Sequence, residues 1–187
     1  MDALMAALVA ALLIHATDRT PWLMAGLGAR YRQQALVVLG AVITLAIVNT
    51  LAATGGALIA PRLTPNARAL FLAIALAAAG LGCFGKLKPP ESMTGWRTGP
   101  LFTPLIGMLT LGFGSAQFLT MAIALRVGEP AFAAVGATIG GAVIVAAALA
   151  LGEKGVAPLR QRVARLPVGG LLILAAIIAA LSALRLI

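Results

Sequence analysis

Charge is scarce in this sequence. Asp, Glu, Lys and Arg make up 10% of its 187 residues, whereas soluble domains carry about 25%. This deficit excludes a water-soluble fold, because so few polar side chains cannot cover the outer surface of a chain of this length. Hydrophobic residues account for 61% of the composition, and lipid is the solvent that suits such a surface.

Cysteine and histidine each occur once. The single Cys83 excludes an intramolecular disulfide. We find no clustered zinc site, no nucleophile beside a base and no phosphate-binding loop, so we expect neither an enzyme nor a cofactor. The net charge of +9 does not indicate nucleic-acid binding, because the basic residues lie in short gaps between apolar runs and no aromatic RNA-binding motif accompanies them.

Six apolar runs are each long enough to cross the roughly 30 Å of a bilayer as a helix. Proline, asparagine and basic residues occupy the gaps between them. Asp2 replaces the basic start of a signal peptide, so we expect the first run to be retained. Three glycines in the fifth run, at 136, 140 and 141, indicate close helix packing. The predicted spans are Ala3 to Gly28, Ala35 to Ala60, Ala69 to Phe84, Leu101 to Leu125, Ala131 to Gly152 and Pro167 to Leu184.

Lysine and arginine in the loops predict the orientation of the spans. One side collects nine of these residues and the other side four. We therefore expect the loop at 85–100 to be cytoplasmic, both termini to lie outside the cytoplasm, and the membrane to be a bacterial inner membrane. The nine are Arg30, Arg32, Lys86, Lys88, Arg97, Lys154, Arg160, Arg162 and Arg165, and the four are Arg62, Arg68, Arg126 and Arg185.

An internal repeat emerges when the sequence is compared with itself at an offset of 96 residues. Nine of the 35 positions from Trp22 to Gly56 are then identical, and Arg30 aligns with Arg126. Each unit holds three spans, so the second must enter the membrane upside down, as in many secondary transporters. We predict an all-α integral membrane fold of six transmembrane helices as two inverted three-helix repeats. The single domain, 1–187, would comprise repeat one at 1–85, a loop at 86–100 and repeat two at 101–187.

Three ionisable residues interrupt the first span, namely His15, Asp18 and Arg19. Each costs about 2.5–3.5 kcal/mol inside a membrane on insertion scales, so such residues normally face a protein interior or a water-filled cavity. His15 and Asp18 share a helix face, whereas Arg19 points about 100° away. Pro21 breaks the helix and frees the carbonyl oxygen of Thr17 beside Asp18. A broken helix next to a carboxylate predicts a cation site.

Hydroxyl and amide side chains offer further ligands for this site. Two alternatives stay open. In the first, Asp18 and Arg19 pair with groups elsewhere in the fold or reach the membrane interface, and they form no cation site. In the second, single amides such as Asn49 bridge helices and bind no ion. The predicted ion-binding residues are His15, Thr17, Asp18, Thr20, Asn49, Ser115 and Gln117, with Arg19 as charge partner and with Asp18 and His15 as metal ligands.

The residues around Asp18 resemble a family motif. The small cation/proton antiporters related to the Golgi manganese and calcium transporter, transmembrane protein 165, and its bacterial relatives carry E-x-G-D-[KR]-[ST] in each of two inverted repeats. This sequence has H-A-T-D-R-T at 15–20 and L-G-F-G-S-A at 111–116. It is also similar to the family in span layout, in the repeat and in A-R-Y at 29–31. The resemblance implies a secondary transporter that exchanges manganese or calcium for protons.

Most of the family's acids are replaced in this chain. Asp18 and Arg19 are kept, His15 stands where the first Glu would be, and the second motif has no acid. Calcium and manganese require several oxygen ligands and negative charge. The cargo is therefore expected to differ, and histidine favours a transition metal.

Two functions remain open from the sequence. The first is a divergent secondary transporter with its site at the repeat interface, for which a metal ion or a proton is the substrate. The second is a non-transporting membrane subunit or scaffold that pairs with an intact family member through its glycine-rich helices, as part of a homo- or hetero-oligomer. In both cases the lipid bilayer surrounds the chain.

Overall fold

The computed structural model describes residues 1–85, 98–111, 114–157 and 162–184. Within these ranges the chain is helical and contains no strand, which confirms the predicted all-α class. A short 3-10 helix, Ala60–Arg62, follows the third α-helix. The eight α-helices are α1 (Asp2–Thr17), α2 (Thr20–Arg30), α3 (Gln34–Ile59), α4 (Pro65–Phe84), α5 (Gly99–Leu111), α6 (Ser115–Val127), α7 (Pro130–Val156) and α8 (Arg162–Ala183).

Four segments are each long and apolar enough to cross a membrane, and they contain α3, α4, α7 and α8. Two further spans result if each of the two bent helix pairs is counted as a single span. The axes of α1 and α2 differ by 67°, and those of the helices at 99–110 and 115–127 differ by 73°. The described residues therefore hold four clear spans, and the predicted six is reached only if each bent pair is a single span.

The expectation that the fourth span is one continuous helix is wrong. Gly114 has an extended backbone, with φ −88° and ψ −173°, and α6 begins only after it. Two glycines flank Phe113 in the sequence, and glycine weakens a helix interior by about 1 kcal/mol relative to alanine. The side-chain oxygen of Gln117 then accepts the N–H of Gly114 at 3.0 Å and caps the new helix.

Several predicted helix limits shift for local reasons. Helix α4 begins four residues early, because the Thr64 hydroxyl accepts the N–H of Ala67 and Pro65 suits a first turn. Helix α7 runs past Gly152, whose φ of +64° marks a kink. Helix α8 starts before Pro167. The predicted loop at 86–100 lies mostly outside the described residues, and its last two residues already belong to α5.

Glycine allows the helices to approach each other closely. A Cβ added at Gly136 of α7 would collide with the carbonyl oxygen of Leu4 in α1, and one at Gly140 would lie 2.7 Å from that of Leu8. The close-packing surface predicted from these glycines is thus confirmed. In the same way, Gly40 of α3 faces the carbonyl oxygen of Leu101 in α5.

The outward faces of the spans are apolar. Large aliphatic side chains on α3, α4, α7 and α8 remain more than half exposed, including Leu58, Leu81, Leu151 and Leu174. The interior is built mainly from alanine with leucine and valine. An exterior of this kind suits lipid, and small interior residues suit close helix contact.

We predict that Gly56→Ala destabilises the fold and that Gly55→Ala does not. A Cβ at Gly56 would collide with the carbonyl oxygen of Met121 and lie 3.2 Å from the nitrogen of Leu125, both in α6. Overpacking of this kind costs about 1–3 kcal/mol. The measurement is the midpoint of thermal unfolding of the purified protein in detergent.

Gly55 is the matched control, because a Cβ there meets nothing within 4 Å. Alanine at this position gains helix propensity, so its midpoint should equal or exceed that of the wild type. Equal midpoints for the two variants would show that α3 and α6 do not approach as closely as described.

Candidate functional site

The first candidate element is the break between α1 and α2. Helix α1 ends at Thr17, Asp18 has an extended backbone, and Pro21 occupies the first turn of α2. The carboxylate oxygen Oδ1 of Asp18 accepts the N–H of Thr20 at 2.6 Å. Asp18 precedes the N-cap residue Arg19, and its carboxylate satisfies the first free N–H of α2, where a negative charge is favoured by the helix dipole.

His15 contacts both sides of this break. Its Nδ1 lies 3.2 Å from Oδ2 of Asp18 and 3.4 Å from the hydroxyl of Thr20. The predicted placement of His15 and Asp18 on one face is confirmed. The imidazole is 3% exposed, and its Nε2 has no hydrogen-bond partner in the described part of the chain.

Gly141 of α7 makes room for the imidazole. A Cβ at Gly141 would lie 3.2 Å from Cδ2 of His15 and 2.9 Å from Cδ1 of Leu45. The histidine is therefore held between α1 and α7, with its Nδ1 edge directed at Asp18.

A cavity of about 350 Å³ lies beside the pair. Both bent pairs contribute to its wall, as do α4 and α8. The Asp18 side chain is 33% exposed, so the carboxylate is open to this space and is not sealed in a closed ion pair. The described lining residues are Ile14, His15, Thr17, Asp18, Arg19, Thr20, Ala79, Gly82, Cys83, Met108, Gly114, Ser115, Gln117 and Arg165.

The structure brings together most of the predicted site residues. Besides His15 and Asp18, the cavity wall includes Thr17, Thr20, Ser115, Gln117 and the predicted charge partner Arg19. The Thr17 hydroxyl donates to the carbonyl oxygens of Leu13 and Ile14 at 3.0 Å and lies 3.6 Å from Sγ of Cys83.

Asn49 lies outside the cavity wall. It is fully buried between α3 and α7, and its Nδ2 donates to the hydroxyl of Thr138 at 3.4 Å. Thr44 likewise donates to the carbonyl oxygen of Gly40 within its own helix. Thr44 also donates to the carbonyl oxygen of Leu105 in α5 at 3.4 Å, so both side chains match the alternative in which such groups bridge helices.

Arg165 is a cavity residue that sequence reasoning missed. It was counted as a loop charge, but it lies in α8 and is 4% exposed. Its Nη1 and Nη2 donate to the carbonyl oxygens of Gly85 at 2.8 Å and Gly82 at 3.0 Å, so it caps the end of α4. The sequence holds one signal, the spacing of four residues between Arg165 and Gly169, which puts both on one helix face. The structure packs Gly169 on Cys83 of α4.

The charges of the cavity differ from those of a divalent-cation site. Among the described lining residues, two arginines accompany one aspartate. No group of three His, Cys, Asp or Glu side chains within the described ranges is placed to hold a metal ion. A metal ion bound here would therefore have one carboxylate and one imidazole as its strongest ligands.

We predict that Asp18→Ala destabilises the protein more than Asp18→Asn. Asparagine keeps an oxygen that can accept the Thr20 N–H, whereas alanine leaves it without the cap, at a cost of about 0.5–2 kcal/mol. The measurement is thermal unfolding in detergent. Equal losses would mean that the carboxylate does not cap α2.

Comparison with known proteins supports one family. Residues 3–88 match the family model described as divalent cation/proton antiporter GDT1. The matched segment spans the helices from α1 to α4 and contains the His15 and Asp18 pair. The searches of curated proteins and of solved structures give no significant match. The predicted resemblance is therefore confirmed: residues 3–88 of the chain are similar to the GDT1 divalent cation/proton antiporter family.

Proposed function

We propose that this chain is a proton-linked secondary transporter and that the cavity between the two bent helix pairs is its substrate site. The observation that carries the proposal is the contact of His15 with Asp18 at a helix break, beside a cavity that both reach. Ionisable groups placed in this way inside a helix bundle serve as proton and ion relays. The match to an antiporter family over residues 3–88 supports the same class.

Discontinuous helices support this assignment. In many secondary transporters, substrates bind where half-helices end near the middle of the membrane, because the free backbone groups there interact with charge. Here the ends of α1 and α5 meet the starts of α2 and α6 around one cavity. The two breaks lie at corresponding positions of the 96-residue offset.

We also propose that the two halves form an inverted repeat. Gly40 and Gly136 correspond at the offset of 96. Gly40 packs on the carbonyl of Leu101 in α5, and Gly136 packs on that of Leu4 in α1. Each half therefore presents a glycine to the first helix of the other half, as a two-fold axis between them would require.

The proposed orientation places both termini outside the cytoplasm of a bacterium and the residues at 86–97 inside it. Arg165 no longer counts as a loop charge, because it is buried in α8. Eight basic residues in the loops or at the helix ends then remain on the inner side, against four on the outer side. The excess still supports the same orientation.

A cation cargo would depend on His15 and Asp18. The family description names a divalent cation, and the resemblance implies manganese or calcium. Those ions require several oxygen ligands, whereas the described lining offers one carboxylate, hydroxyls and an amide. An imidazole beside that carboxylate suits a transition metal better.

The second candidate function is a non-transporting subunit that pairs with an acid-bearing relative. One observation favours it: the break between α5 and α6 presents Gly114 and Ser115 where the family motif has an acid and a base. Gln117 caps this break with a neutral amide. In that case the chain would form a stable complex with its partner and would carry no ion alone.

We predict that Asp18→Asn lowers proton movement at least about tenfold in proteoliposomes. The neutral amide keeps the helix cap but removes the group that binds a proton with His15. The measurement is the fluorescence of an internal pH-sensitive dye after Mn²⁺, Ca²⁺, chloride or nitrate is added outside.

Asp2→Asn is the control, since it removes the same charge from the exposed start of α1. Its proton movement should equal that of the wild type. Equal proton movement in Asp18→Asn and the wild type would remove Asp18 from the mechanism. Absence of proton movement with every ion, together with co-purification of an acid-bearing relative, would favour the subunit function.

A further inference from the structure

We propose that the substrate of this cavity is a small inorganic anion, held by Arg165, Arg19 and the start of α6. This inference rests on the proposed transport function and names its substrate class. It departs from the cation that the family description suggests, because the charged groups that line the cavity have changed.

The single carboxylate of the cavity is already engaged. Oδ1 of Asp18 accepts the Thr20 N–H at 2.6 Å, and Oδ2 contacts His15 at 3.2 Å. The last turn of α1 is also partly satisfied, because the Thr17 hydroxyl donates to the carbonyl oxygens of Leu13 and Ile14. Both carboxylate oxygens therefore have partners, and the open part of this one side chain is the only carboxylate that the described wall offers a cation.

The two arginines of the cavity have no partner of opposite charge among the residues that the structure describes. Within the described residues, no carboxylate lies within 4 Å of Arg19 or Arg165, since the ion pairs there are those of the N-terminus with Glu129 and of His15 with Asp18. Arg165 donates only to two neutral carbonyl groups, and its buried Nε has no partner in the described part of the chain. Arg165 is thus a buried cation without a counter-charge, which is costly and favours the binding of an anion, whereas Arg19 is exposed.

Helix α6 adds donors to the same space. The first N–H groups of a helix have no acceptor within it, and they carry partial positive charge. Gln117 satisfies only the N–H of Gly114. Ser115 lines the cavity, so its hydroxyl and the free N–H groups at the start of α6 lie at this space as donors for an anion.

The same charges predict the direction of coupling. The His15 and Asp18 pair lies in the same wall as the two arginines, and a proton that moves with the anion compensates its charge, so the proposed proton linkage and anion binding should favour each other. The other charged or titratable groups in the described wall are Arg19, Cys83 and Arg165, while α5 and α6 contribute the neutral Met108, Gly114, Ser115 and Gln117. The anion and the proton would then move in the same direction.

The first test measures binding without transport. The midpoint of thermal unfolding in detergent should rise with potassium nitrate or chloride relative to potassium gluconate at equal ionic strength, because a ligand of the native state stabilises it. Arg19→Gln should weaken the apparent affinity roughly tenfold, as expected when one charged donor is lost. Arg32→Gln, outside the cavity and exposed, should leave the affinity unchanged.

A variant of Arg165 needs a check on folding, because its guanidinium caps α4. Arg165→Lys keeps the charge and should retain part of the anion response, whereas Arg165→Gln should lose it. If Arg165→Gln fails to fold, the apparent anion affinity of Arg19→Gln tests the proposal by itself. No midpoint shift with either anion, or an equal shift in Arg19→Gln, would overturn the proposal.

The second test measures transport. In proteoliposomes, an inward nitrate or chloride gradient should acidify the interior, with the membrane potential clamped by potassium and valinomycin. Acidification by the anions but not Mn²⁺ or Ca²⁺ supports the proposal. Proton movement driven only by Mn²⁺ or Ca²⁺ would overturn the anion assignment and keep the transport function. Anion binding without any flux would overturn transport and keep the anion site.

Discussion

The carboxylate of Asp18 at the break between α1 and α2 is the contact on which the site depends. It accepts the Thr20 N–H and meets His15 at the same time. The first bond gives α2 a defined start after a 67° bend, and the second places a titratable pair beside the cavity. A carboxylate inside a lipid-embedded bundle is costly unless it is partnered. Here the helix start and the imidazole provide that stabilisation and leave the acid partly open.

Glycine packing holds the helices that position this pair. The carbonyl oxygens of α1 lie directly against Gly136 and Gly140 of α7, and Gly141 accommodates the imidazole. Lipid offers little hydrophobic drive for helix association, so close backbone contact and interhelical hydrogen bonds must supply stability. The same surface that brings α1 to α7 therefore fixes the orientation of His15.

The family resemblance and the cavity charge point to different cargoes. Residues 3–88 match a divalent cation/proton antiporter family, and the retained Asp18 explains why a proton-linked mechanism is proposed. The second half has neutral residues at the motif acids, and Arg165 enters the cavity from α8. A transporter fold can keep its helices and its proton-binding group while the sign of the substrate changes, because function resides in the side chains of the site.

The sequence by itself determined the all-helical class, the approximate spans, the family resemblance over residues 3–88 and the cluster at 15–20. Hydropathy and motif spacing are local properties, and lipid imposes a helix on each long apolar run. The α5 to α6 break depended on Gly114 and a side-chain cap from Gln117, which hydropathy does not reveal. The burial of Arg165, and the position of Asn49 outside the cavity, were decided only by tertiary packing. Whether a side chain at a helix end meets water or a neighbouring helix depends on contacts between residues distant in the chain, as when Arg165 reaches the last carbonyls of α4.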